Sequence, residues 1–308
     1  MRILIVGATG SIGRRLAAEL LERGESVACM VRSGDSEPAR ALRDRGCTLR
    51  VADLEDAESL SEATAEIDVV YHLAHLMSGD GDDLIAAEER AAIGLARAAK
   101  AAGVRRLIYL GGLGDASVSD HLWARRRTAE ALAEHGPPLT HFRAAMVVGA
   151  DSESFVLLRS IVDRLPAVVL PEWLENRTQP IGVDAVVEFL ADALRLDETS
   201  AREVQIGGPE TMTYREMLEG MAGALGKPMP TELPAPRSIS AEAAGTVAGA
   251  VTRGQPEVAE HITAGLASDT VVEDPSGMEL FDVRPEAYRL ALARAIEDGF
   301  RAEEEGPA

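Results

Sequence analysis

The sequence predicts an α/β fold, a Rossmann-type doubly wound parallel sheet with helices on both faces and a smaller C-terminal region. Three observations predict it. Short, nearly continuous apolar runs alternate with stretches of helical periodicity through the first half of the chain. The links between them are short. A glycine-rich turn, Gly7-Ala8-Thr9-Gly10-Ser11-Ile12-Gly13, separates the first apolar run from the first helical stretch.

Arg2 to Val6 is the first strand, apolar along its length as befits a strand covered on both faces. Arg14 to Arg23 carries Leu16, Ala17, Leu20 and Leu21 at helical spacing, and Gly24 ends it. Ser26 to Val31 is the second strand, Glu37 to Arg45 a helix stopped by Gly46, and Thr48 to Val51 the third strand. A helix over Asp56 to Ala65 and a strand over Ile67 to Leu73 follow. Asp82 to Ala102 is a long alanine-rich helix ended by Gly103, before a fifth strand at Arg106 to Leu110. His121 to His135 is helical and Leu139 to Val148 a sixth strand.

After Gly149 the alternation loosens. Phe155 to Leu165 reads as a helix, Val168 to Leu170 as a short strand, and Val183 to Leu196 as a strongly periodic helix. Val204 to Ile206 is a strand, and Thr213 caps a helix reaching Leu225. The proline-rich Pro228 to Pro236 links to a final amphipathic helix, Ala287 to Phe300. The acidic Glu303 to Glu305 is expected to fray. This organisation divides the chain into a nucleotide-binding domain over 1–207 and a C-terminal substrate-binding region over 208–308. Residues 150–178 contribute to the pocket, its apolar wall formed around Phe155, Leu157, Leu170 and Trp173.

Composition narrows the function. Of the 308 residues 46% are hydrophobic and 27% charged, an ordinary globular balance. A formal net charge of -20 repels a phosphate backbone, so no nucleic-acid partner is expected. No apolar stretch reaches membrane-spanning length and no secretory leader is visible, so the expected location is the cytoplasm, as a monomer or homodimer. Cys29 and Cys47 show no metal-ligand spacing, and no metal is expected; Cys29 reads as a small buried hydrophobe.

The glycine turn carries the chemistry. Gly7 permits a tight turn, Gly10 leaves room for a pyrophosphate against the backbone, and Gly13 lets the helix pack closely on the strand. Backbone N–H groups of Thr9, Ser11 and Ile12 then lie at a helix start, where the dipole favours an anion. The end of the second strand selects the cofactor. No carboxylate stands there to bind ribose hydroxyls; Val31 is followed by Arg32, which suits a 2′-phosphate and favours NADP(H) over NAD(H), or is a solvated surface charge. Asp53 either bonds the adenine amino group or caps the next helix; Leu54 and Ala74 border the adenosine.

With these residues in place the sequence resembles the short-chain dehydrogenase/reductase superfamily. The resemblance is to its extended and atypical branch of NmrA-like and complex-I-subunit-like proteins. It is carried by Gly7 to Gly13, Val31-Arg32, Asp53-Leu54, Asp68 to Ala74, Gly103 to Leu110, Arg177 to Ile181 and Ile206 to Pro209. It implies a Rossmann-type fold, a bound dinucleotide and a small-molecule pocket.

The superfamily's catalytic set is a serine after the fifth strand and a Tyr-x-x-x-Lys on the next helix. Here Gly111-Gly112-Leu113-Gly114 follows the strand, and no tyrosine precedes a lysine by four. The positions of the pair hold His121 and Arg125, one helical turn apart. Either His121 replaces the tyrosine as proton donor and Arg125 the lysine as a fixed positive charge on the ribose, or catalysis is lost or moved and both residues hold cofactor or pack. Ser117 and Ser119 are further hydroxyl candidates; His72 and His75 read as packing or rim residues, while His135, His141 and His261 show no partner in sequence. The expected function is an NADP(H)-dependent oxidoreductase acting on a small carbonyl, hydroxyl or conjugated-alkene substrate. The alternatives are a non-redox epimerase, lyase or cyclase, and an NADP(H)-binding sensor or assembly protein without turnover.

Overall fold

A computed structural model describes residues 1–75, 81–164, 167–169, 172–233 and 268–305. The chain runs β1 (Arg2–Val6), α1 (Ser11–Glu22), β2 (Ser26–Val31), α2 (Glu37–Asp44), β3 (Thr48–Val51), α3 (Ala57–Thr64) and β4 (Val69–His72). Then come α4 (Gly81–Ala101), β5 (Arg106–Gly112), α5 (Asp120–His135), β6 (Leu139–Ala144), β7 (Val147–Val148), α6 (Glu153–Arg164) and β8 (Ala167–Val169). The remainder is β9 (Arg177–Thr178), β10 (Ile181–Gly182), α7 (Val183–Asp192), β11 (Arg202–Ile206), β12 (Met212–Thr213), α8 (Tyr214–Ala224), β13 (Thr231–Leu233) and α9 (Tyr288–Glu305).

Seven strands form one sheet in the order β11-β6-β5-β4-β1-β2-β3, every neighbouring pair parallel. The order reverses between β1 and β4, which places the crevice for a ligand beyond the carboxyl ends of those strands. Strand side chains alternate between two buried faces. Ile3, Ile5, Cys29, Val31, Tyr71 and Phe142 pack with Leu16 and Leu20 of α1, Leu42 of α2 and Phe189 of α7. Leu4, Val6, Met30, Val70 and Tyr109 pack on the other side with Leu60 of α3, Leu95 and Ala99 of α4 and Leu132 of α5. A third cluster joins Phe155 and Leu158 of α6 to Met217 and Met221 of α8 and Tyr288 and Leu292 of α9.

The expected elements recur with local differences. The segment Leu139 to Val148 is two strands, because the chain leaves β11 after Ala145 N–H bonds Ile206 O, and β7 pairs instead with β10. Helix α1 starts at Ser11, directly on the glycine turn. Helix α7 stops at Asp192 and tightens into a 3₁₀ turn at Ala193–Arg195. Helix α9 continues to Glu305, so its backbone does not end at Phe300 as expected. Thr213 caps α8 as expected, in a reciprocal capping box with Glu216. Phe155 and Leu157 are buried, and Phe155 lines a small pocket with Leu158, Met217, Met221 and Tyr288. Leu170, the Trp173 side chain and His261 lie outside the described residues. Among the described residues no helix is long and apolar enough to cross a membrane.

Candidate nucleotide-binding and catalytic site

The three glycines of the turn are required for different reasons. Gly7 has a φ of +86°, and a Cβ there would lie 2.6 Å from the Ala74 nitrogen at the end of β4. This close approach between the β1 and β4 ends forms the floor of the crevice. A Cβ at Gly13 would lie 2.2 Å from Gly7 O, so α1 sits directly against the turn. Gly10 differs: its φ is -75°, and the nearest atom to an added Cβ is Gly7 O at 3.4 Å. The protein itself leaves room for a side chain at Gly10. It serves as the N-cap of α1 with no side chain to satisfy the first N–H groups. A backbone-lined cradle that a Cβ would fill is what a pyrophosphate needs, and the turn fits that group.

Around this cradle, Thr9 is exposed, Ile12 packs against the α1 face of the sheet, and Ser11 Oγ donates to Asp151 Oδ1 at 2.7 Å. Arg32 stands exposed after β2 and makes no ion pair among the described residues. Asp53 accepts from Glu55 N–H at 2.9 Å. It is not the cap of α3, because Asp56 takes that place by accepting from Glu58 N–H. Leu54 and Ala74 are partly buried on the same face of the sheet, beside the crevice.

The second half of the site lies on α5. Arg125 Nε donates to His121 Nε2 at 2.7 Å. Arginine has no acceptor, so Nε2 is the unprotonated ring nitrogen and a neutral His121 carries its proton on Nδ1. Tyr109 OH donates to Arg125 O at 3.3 Å, tying the α5 turn to β5. Tyr109 is fully buried between two imidazoles, stacked on His72 at 5.5 Å and on His141 at 5.3 Å between ring centroids. His75 meets Tyr109 edge-on at 5.8 Å and His121 at 6.4 Å. His141 lies against the glycines that end β5, where a Cβ at Gly111 would be 2.9 Å from its Nε2.

These rings are held neutral by their surroundings. Burial pulls His72 down to about 4. Burial lowers His75 well below its ordinary range, helped by the positive Arg125. Burial takes His141 to about 4, against the opposing pull of Glu203. Glu153, at the start of α6, is water-accessible yet flanked by protein; desolvation raises its carboxyl above the ordinary range and Arg125 opposes the rise. Ser119 Oγ is buried without a partner among the described residues, whereas Ser117 is exposed.

Residues 7–148 match the family described as NAD(P)H-binding. The match runs from the glycine turn to the end of β7. The photosystem II assembly factor Ycf39 of Synechocystis sp. is 29% identical over 109 residues, which is 35% of this chain and 33% of that relative's length. Among solved structures, the triphenylmethane reductase of Citrobacter sp. complexed with NADP(H) superposes with a TM-score of 0.72. Its identity is 19%, over 96% of this chain and 100% of that one. The UDP-glucose 4-epimerase of Thermus thermophilus in complex with NAD gives a TM-score of 0.73 at 21% identity, over 98% and 99% of the two chains. At these identities the superpositions establish the Rossmann-type fold.

The chain thus has the nucleotide turn of the NAD(P)H-binding family it matches, and His121 and Arg125 stand where the resemblance drawn from the sequence expects a Tyr-x-x-x-Lys pair. The structure brings His121 and Arg125 together and places them beside the ends of β4 and β5. The sequence reading missed Asp151 and the His72–Tyr109–His141 stack. The stack has a partial signal, since His72, Tyr109 and His141 each fall on a strand of the parallel sheet. Asp151 has none, because its partners Ser11, Arg14 and Arg15 are more than a hundred residues away.

Proposed function

We propose that the chain is an NADP(H)-dependent oxidoreductase acting on a small carbonyl, hydroxyl or conjugated-alkene substrate. In this reading it works in the cytoplasm as a monomer or homodimer, with a substrate-binding region over 208–308. The observation that carries the reading is the hydrogen-bonded His121–Arg125 pair, on the helix that follows β5, beside a turn shaped for a pyrophosphate. The dinucleotide, when bound, supplies the hydride exchange.

The chain's own residues do the rest. The α1 start, with Thr9, Ser11 and Ile12, binds the pyrophosphate through backbone N–H groups. Arg32 pairs with the 2′-phosphate; Asp53, Leu54 and Ala74 border the adenosine. His121 presents its Nδ1 proton to the substrate oxygen and polarises it as negative charge develops there. Arg125 holds the ring by its Nε2 and supplies a permanent positive charge on the nicotinamide ribose of the bound cofactor.

The test is loss of NADPH absorbance with purified protein across a panel of aldehydes, ketones and enones. Turnover that is lost in His121→Ala supports the reading. Tight NADPH binding with no turnover on any member of the panel supports a second reading, an NADP(H)-binding sensor or assembly protein. The partial similarity to an assembly factor and the absent serine and tyrosine favour that second reading. An epimerase, lyase or cyclase would show product formation without net change in NADPH.

A further inference from the structure

Asp151 follows β7 in the loop that leads into α6, yet its carboxylate lies at the other side of the crevice, on the first turns of α1. Its Oδ1 accepts from Ser11 Oγ at 2.7 Å and from Arg15 Nη1 at 2.7 Å, and its Oδ2 pairs with Arg14 Nη2. Arg15 Nη1 also donates to Ser11 O and Ser11 Oγ, both at 3.0 Å, so this guanidinium is drawn back along the helix to its start. The start of α1 is the place where the NAD(P)H-binding domain must take a pyrophosphate, and its cap residue, Gly10, offers no side chain. One anion already stands beside that place.

We propose that Asp151 is an internal anion held on the first turns of α1, beside the pyrophosphate-binding turn, and that a dinucleotide's pyrophosphate displaces it from Ser11, Arg14 and Arg15. This displacement rests on the nucleotide-binding reading of the glycine turn. A pyrophosphate diester brings two negative charges to a site where a carboxylate is already fixed, and like charges at this range repel. The Asp151 carboxylate is ionised at neutral pH: burial pushes it up, but the Ser11 hydroxyl and the two guanidinium groups outweigh burial and hold it below its ordinary range. Arg14 and Arg15 satisfy the first anion and are released to the second. They become cofactor-binding residues that the glycine fingerprint does not include.

The experiment is titration of NADPH, and separately of inorganic pyrophosphate, into the full chain and its Asp151→Asn variant, with thermal melts to confirm that both are folded. Asp151→Asn should bind both probes roughly threefold to tenfold more tightly, the loss of a partly exposed two-arginine pairing. The gain should disappear in an Arg14→Gln/Arg15→Gln background. Unchanged or weaker binding in Asp151→Asn overturns the displacement, as does a gain that persists without the arginines. A wild-type chain that binds pyrophosphate in competition with Asp151 but binds no dinucleotide leaves the displacement standing and removes the cofactor reading. Normal NADPH binding that ignores residue 151 removes the displacement alone.

Discussion

Arg125 Nε donates to His121 Nε2 across 2.7 Å, and this one hydrogen bond decides which nitrogen of the ring can give up a proton. The two residues should therefore fail differently. His121→Ala should lower kcat by about 10²–10⁴ with near-normal cofactor affinity, since general acid–base groups contribute on that scale. Arg125→Ala should mainly weaken cofactor binding and let the ring of His121 turn. Steady-state kinetics beside cofactor titration separates the two. Full turnover in His121→Ala would pass the role to another donor, with the buried Ser119 hydroxyl the nearest in sequence.

The glycines of the turn make a second prediction with an internal control. Gly10→Val adds atoms where the protein leaves room, so the variant should fold while dinucleotide affinity falls more than about tenfold, a change of only ~1.4 kcal/mol. Gly13→Ala should fail to fold or lose much stability, because its Cβ would lie 2.2 Å from Gly7 O. Circular dichroism melts and nucleotide titration check both. Undiminished binding in a folded Gly10→Val chain is the outcome that contradicts the cradle.

Arg32 tests cofactor choice. It is exposed and makes no ion pair among the described residues, so its removal should cost little stability. Arg32→Ala should weaken NADPH by roughly 1.5–3 kcal/mol, the range for hydrogen bonds to charged groups, and leave NADH nearly unchanged. Competition between the two cofactors gives the answer. A preference that survives the substitution assigns the 2′-phosphate to other residues.

The neutral histidine stack predicts acid sensitivity. An unfolded chain takes up a proton at His72 below about pH 6.5, whereas the native chain resists until about 4. Between those values the unfolded state binds more protons, so stability falls as pH falls. The slope is ~1.4 kcal/mol per pH unit for each such group, with His75 and His141 adding to His72. Thermal melts between pH 7 and 5 should drop accordingly, and His72→Phe, which keeps an aromatic ring against Tyr109, should flatten the drop. An equal slope in that variant would assign the acid sensitivity elsewhere.

Much of the fold was legible because parallel strands covered on both faces write themselves as apolar runs. β2 and β3 begin and end at the expected residues, and the glycine turn named its own position. The break between β6 and β7 was not legible: Leu139 to Val148 holds no glycine or proline to mark it, and only pairing with different partners divides the segment. Asp53 illustrates a local ambiguity that sequence leaves open, since Asp53 and Asp56 both precede α3 and only the structure shows which one accepts from its first turn. In the candidate site, His121 and Arg125 were found by position, while Asp151 was hidden because a carboxylate's partners across a crevice leave no periodic trace in the chain.

The order of strands in the sheet also bears on how this chain is made. β11 lies beside β6, yet residues 145–201 separate them, and those residues hold α6 and α7. During synthesis β1 to β6 are complete, with all of their mutual pairings available, well before the last strand emerges. The edge of β6 is left open in the interval, with its main-chain groups unpaired. Closure must then wait for a non-local pairing, which is slow compared with the helix and neighbour-strand contacts that precede it. Truncation within residues 145–201 should therefore yield a collapsed, sticky intermediate rather than a smaller working domain, and the nascent chain is most exposed to self-association at that moment.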